Sequence, residues 1–134
     1  MTLVDANVLL DLVTGDPTWS AWSQAKLEEA ALSGAVVIND IIYAEISTRY
    51  ARLEDLDYML ASAMIEIAPV PRAALFLAGK AFLRYRAAGG VRAGVLPDFF
   101  IGAHAAVENW PLLTRDAKRF RTYFPGVRMI APTG

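Results

Sequence analysis

A chain of 134 residues, 55% of them hydrophobic and 20% charged, can bury about two-thirds of its unfolded surface and is too apolar to stay disordered. Its 13 basic and 14 acidic residues nearly cancel; having no cysteine and a single histidine, it lacks the means for disulfides, thiolate metal sites or a histidine-rich zinc site. No apolar run approaches the ~20 residues of a membrane span, and the N-terminus lacks the marks of a secretory signal, so one cytoplasmic domain over residues 1–134 is expected.

The chain opens on an apolar strand, Leu3-Val4, that runs into Asp5 and Asn7 and changes at once to a helical pattern. In an open α/β sheet such a turn points its side chains into the crevice beyond the carboxyl ends of the strands. Val8 to Val13 reads as a short helix stopped by Gly15-Asp16-Pro17. Thr18 is placed to cap a second helix that reaches about Leu32, with Trp19 and Trp22 on its apolar stripe. These two tryptophans suit core packing or a groove for a partner's amphipathic helix. Ala35 to Ile38 is a short apolar run of the kind buried in parallel sheets, and Asn39-Asp40 cap the helix that carries Glu45.

A further helix is expected from about Leu53 to Met64, then a strand over Ile65 to Val70. Pro71 suits the first turn of a long helix that Gly89-Gly90 ends. Val91 to Leu96 reads as a loop, and Asp98 opens the next helix. Pro111 to Thr114 makes a fourth strand, Asp116 to Tyr123 a helix, and Val127 to Ile130 a last strand. Short apolar strands alternating with helices predict an α/β fold built on a parallel sheet.

Charge is unevenly spread. Seven acids and one base, Lys26, lie up to Thr48, whereas twelve bases and seven acids follow. That pattern fits an anionic partner for the later part of the chain, or a mixed solvated surface.

Four carboxylates stand where a carboxylate needs a reason. Asp98 and Asp116 fit helix starts, Asp5 could cap the first helix, and Glu45 could pair with Arg49 four residues on. Taken together they suggest something else. Asp5 and Asp116 both follow strands and so face one crevice, and two carboxylates ~5 Å apart repel by about 3 kcal/mol at an effective dielectric of 20. A cation or protons must lie between them. Oxygen donors without cysteine or histidine select a hard ion, Mg²⁺ or Mn²⁺, which suits phosphodiester hydrolysis.

The segments Val4 to Asp11, Ala44-Glu45, Pro97 to Ala105 and Leu113 to Asp116 resemble, in order and spacing, the PIN-domain family, and most closely its VapC-type toxins. The resemblance spans nearly the whole chain. It implies a three-layer sandwich with a central parallel sheet of about five strands flanked by helices, and a Mg²⁺- or Mn²⁺-dependent endoribonuclease. On it, Asp5, Glu45, Asp98 and Asp116 take the family's acidic positions. Asp5, Asp98 and Asp116 would hold metal, Glu45 would support the metal or activate water, and Asn7 and Thr114 would orient the others. Arg115, inside the last motif, would hold substrate. The partners implied are RNA, a VapB-like antitoxin and a second copy of the chain.

Two rivals remain. A phosphoacceptor domain wants a lysine directly after a late strand, and none of Lys26, Lys80 or Lys118 stands there. A module that binds RNA or a partner without cutting would leave the same residues in place. Asp11 is expected to cap or face solvent, and His104 to be packed or on the surface rather than catalytic.

Overall fold

The computed structural model describes residues 1–133, apart from the side chain of Ala93. Strand β1 (Thr2–Val4) is buried throughout and leads into α1 (Ala6–Thr14), which Asp5 caps by accepting from the Ala6 N–H at 2.7 Å. The helix stops at Gly15 in the left-handed region (φ 63), which glycine enters at little cost. Asp16, and not Thr18, then prepares α2 (Ser20–Ser33). Its carboxylate accepts from the backbone N–H groups of Thr18 and Trp19 at 2.9 and 2.8 Å. Thr18 is left as a passenger in the turn.

Strand β2 (Val36–Asn39) and helix α3 (Asp40–Ser47) meet at Asn39, whose side-chain oxygen accepts from Ile42 N–H at 2.9 Å. Helix α4 (Leu53–Ser62), strand β3 (Ile65–Ala68) and helix α5 (Arg72–Ala87) follow within a few residues of their sequence-based limits. The expected loop after α5 contains a single 3₁₀ turn, Ala93–Val95. Helix α6 spans Leu96–Glu108, so Asp98 lies in its first turn and is not its cap. Pro97 tolerates this early start because a first-turn residue needs no N–H. After β4 (Leu112–Leu113) the chain loops through Asp116 before α7 (Lys118–Tyr123), and β5 (Met129–Ile130) closes the sheet.

The five strands lie in the order β3-β2-β1-β4-β5, and every pairing is parallel. The architecture is the expected α/β one. Connections run outward from β1 in two opposite directions, and the helices group accordingly: α1 packs with α2 and α3, and α6 with α5 and α7, α3 and α6 also meeting. The order reverses at β1, and such a reversal opens a crevice beyond the strand ends. Asp5 and Asp116 emerge there, from neighbouring strands.

Phe99 on α6 anchors the second layer. Its ring meets those of Phe82, Tyr85, Tyr123 and Phe124 at centroid distances of 5.7, 5.6, 5.2 and 6.3 Å. Gly102, one turn on, lets α7 come close: a Cβ there would collide with the Phe124 ring. Arg119 of α7 is thereby seated beside Asp98.

Candidate active site

Asp5 stands where β1 becomes α1. Its N–H bonds to the Leu113 carbonyl at 2.8 Å, one carboxylate oxygen accepts from Ala6, and the other accepts the Thr114 hydroxyl at 2.8 Å. Only 6% of the residue is exposed. Burial above all, with the charges of Asp98 and Asp116 adding, pushes its carboxyl up to about 6, against the lowering effect of both hydrogen bonds.

Glu45 projects from α3 toward the same place. Burial, then the charges of Asp5 and Asp98, push its carboxyl up to about 7. Its Oε1 is buried with no hydrogen-bond partner, and Arg49 does not supply one. An unpartnered buried carboxylate oxygen is expensive, so this atom calls for a proton or a cation.

Asp98 also has a raised carboxyl. Burial outweighs Arg119, whose Nη1 donates to Asp98 Oδ2 at 2.6 Å. Asp116 is exposed at the rim. With Asn7 and Phe120 these four acids line one cavity of about 220 Å³.

Asn7 and Thr114 join the two chain segments under the cavity. The Asn7 amide donates to Thr114 Oγ1 at 3.3 Å and accepts from Arg115 N–H at 3.2 Å. Thr114 Oγ1 also accepts from Asp116 N–H at 3.2 Å, so this hydroxyl positions Asp5 and Asp116 together.

Arg115 differs from its expected place. Its Nε and Nη2 both donate to Asp11 at 2.9 Å, its guanidinium lies 5.4 Å from the Trp19 ring centre, and it does not line the cavity. The correction extends to Asp11, which neither caps nor faces solvent. It is buried and also takes the Ser23 hydroxyl at 2.8 Å. A bidentate pair in a buried setting holds both partners, so Arg115 is a brace rather than a free phosphate contact. The sequence offers no local hint of this pairing, because the two residues stand 104 positions apart.

The basic groups that do approach the cavity are others. Arg92, Lys118 and Arg119, with Tyr85 and Tyr123, line a groove of about 440 Å³ that shares Asp116 with the acidic cavity. His104 is packed, with Nδ1 3.1 Å from the Asn39 amide and its ring 5.1 Å from that of Trp110.

The donor set suits a hard divalent ion: oxygen ligands only, with one orphaned and buried. As the side chains stand, however, no three acidic or histidine groups among the described residues surround one point. One of the four, Asp98, is engaged by Arg119.

The fold has known relatives. The chain is similar in structure to VapBC2 from Rickettsia felis bound to a promoter DNA fragment, with TM-score 0.74, 20% identity and coverage of 98% of each chain. It is also similar to VapBC-1 from nontypeable Haemophilus influenzae (TM-score 0.69, 16% identity, 97% of this chain and 96% of that one). FitAcB from Neisseria gonorrhoeae gives TM-score 0.65 at 19% identity, over 97% and 96%. At such identities the likeness speaks to the fold. No curated protein sequence matches at a significant level. The PIN domain model matches residues 2–124, nearly the entire chain and all four acids, and the chain therefore belongs to the PIN-domain family.

Proposed function

We propose that this protein is a Mg²⁺- or Mn²⁺-dependent endoribonuclease and the toxin of a VapBC-type toxin–antitoxin pair. The observation that carries the reading is the unpartnered buried oxygen of Glu45, facing a cavity that holds three further carboxylates. A fold that kept these acids only for its own stability would have given that oxygen a donor.

Asp5, Asp98 and Asp116 would hold the ion. When bound, a divalent cation supplies Lewis acidity toward a phosphoryl oxygen and lowers the pKa of water. Glu45, with its carboxyl near 7, is suited to take the proton from an attacking water as the water approaches the phosphodiester. Thr114 and Asn7 hold Asp5 and the Asp116 loop in register throughout. Attack by water with loss of the ribose 3′ oxygen would leave a 5′-phosphate and a 3′-hydroxyl.

The relatives named above were solved as VapBC2, VapBC-1 and FitAcB, which supports a VapB-like antitoxin as the partner here; a second copy of the chain is the other partner proposed.

The test is cleavage of a mixed RNA pool with Mg²⁺ or Mn²⁺ by the wild type and by Asp5→Asn. Cleavage that needs the metal and falls at least ~10²-fold in the variant, with unchanged circular dichroism, supports the reading. Equal activity in both proteins places the chemistry elsewhere. RNA binding without cleavage by either protein favours a binding module.

A further inference from the structure

We infer that Arg119 is a phosphate-positioning residue held in reserve on Asp98, released to the RNA backbone when a divalent cation takes Asp98. This rests on the function proposed above and adds to it a coupling between metal loading and substrate grip.

Three observations meet at this residue. The first is the ion pair itself: Arg119 Nη1 lies 2.6 Å from Asp98 Oδ2, with both side chains about 70% buried (27% and 31% exposed). Arg119 thus brings a positive charge to one acid of the cavity. The second is that no three acidic groups among the described residues surround one point, although all four acids line one cavity and one of them, Asp98, is held by Arg119. Asp98 cannot give the same oxygen at full strength to a guanidinium and to a metal ion, so the two compete.

The third concerns where Arg119 goes when displaced. It already lines the basic groove with Arg92 and Lys118, and this groove abuts the acidic cavity at Asp116. A guanidinium freed from Asp98 needs only a side-chain rotation to face that groove, because α7 is fixed against α6 by Phe120 and Phe124 packed at Gly102. Its planar fork matches a phosphate, and a strand laid along Arg92 and Lys118 presents one next to the cavity.

By linkage, anything that releases Arg119 when metal binds must also make RNA favour metal. The experiment measures that coupling in the folded full chain. Mn²⁺ affinity is read by calorimetry without RNA. The affinity of a fluorescein-labelled single-stranded RNA oligonucleotide is read by anisotropy in EDTA and in Ca²⁺, with Lys118→Gln as the comparison. Arg119→Gln is expected to bind Mn²⁺ about tenfold tighter, since a charge-assisted bond to the ligand is gone. It should lose RNA affinity mainly in Ca²⁺, so that its Ca²⁺-to-EDTA affinity ratio falls about tenfold, whereas Lys118→Gln weakens RNA binding equally in both.

Unchanged Mn²⁺ affinity, or an RNA defect of equal size with and without Ca²⁺, overturns the inference and leaves the metal reading standing. Absence of Mn²⁺ binding by wild type and variant alike overturns both. If Arg119→Gln does not fold, Arg119→Lys serves: it keeps the charge, loses the fork, and should move both readouts the same way by a smaller factor.

Discussion

Two aspartates six positions apart in the sequence, Asp5 and Asp11, are both almost fully buried, and their surroundings are opposite. Asp11 lies among donors: two guanidinium nitrogens of Arg115 and the Ser23 hydroxyl. Asp5 has two donors, Ala6 N–H and Thr114, and otherwise faces its own kind. The first arrangement spends charge on holding α1, α2 and the loop after β4 together. The second holds charge under strain that a cation would relieve. Burial of an acid therefore says little about its role until its neighbours are counted.

The largest effect should come from breaking the satisfied member. Asp11→Ala leaves a half-buried guanidinium and a buried serine without their acceptor, and should cost about 3 kcal/mol in urea unfolding. If it costs nothing, the brace is ornamental and the contrast fails.

Asp5→Asn should do the reverse. It keeps an acceptor for Ala6 N–H, loses the acceptor of the Thr114 hydroxyl, and removes a charge whose carboxyl is raised from 3.8 to about 6, so the variant should be more stable than wild type by about 1–2 kcal/mol at pH 8 in EDTA. The same substitution abolishes the proposed metal site, so stability and activity should move in opposite directions.

The pH dependence sharpens this. A carboxyl raised on folding favours the folded state while it is protonated. That contribution is full below the unfolded value near 4 and is lost as pH rises through the folded values of about 6 and about 7 for Asp5 and Glu45. Metal-free wild type should therefore lose denaturant resistance between about pH 4 and pH 7, and Asp5→Asn should lose less. Saturating Mn²⁺ should flatten the wild-type profile, because the ion replaces the protons. A wild-type profile that rises over this window would contradict the raised carboxyls.

The smallest effect is expected of Arg115→Lys, which keeps a charge near Asp11 and loses the bidentate geometry, at about 1 kcal/mol. Its cleavage rate should fall only modestly, since Asn7 and Thr114 still anchor the loop.

Much of this was legible in the sequence because the signals are local. Ala35 to Ile38 announces a buried strand and Asn39-Asp40 the following cap, and the observed strand and the Asn39 cap stand within a residue of expectation. The Asp5 turn points where strand-end turns point. What escaped was long-range. Nothing near Asp11 names Arg115, and nothing near Asp98 names Arg119, 21 residues on. Helix starts at Asp98 and Asp116 were misplaced because an acid near a helix N-terminus is favourable at several positions, so its presence does not fix which one. One overlooked signal was available. A glycine inside the Phe99 to Ala105 helix marks a close approach of another element, and Gly102 is where α7 lands.

The hydrogen bond from Thr114 to Asp5 joins residues 109 positions apart, and β1 finds its partner β4 only near the other end of the fold. During synthesis, therefore, the first strand emerges long before the loop that completes the acidic cavity exists. A nascent chain halted before Pro111 has Asp5, Glu45 and Asp98 but neither β4 nor Asp116. Under the function proposed above, the site would be complete only once the message encoding it has been read almost through, a delay that follows from strand order.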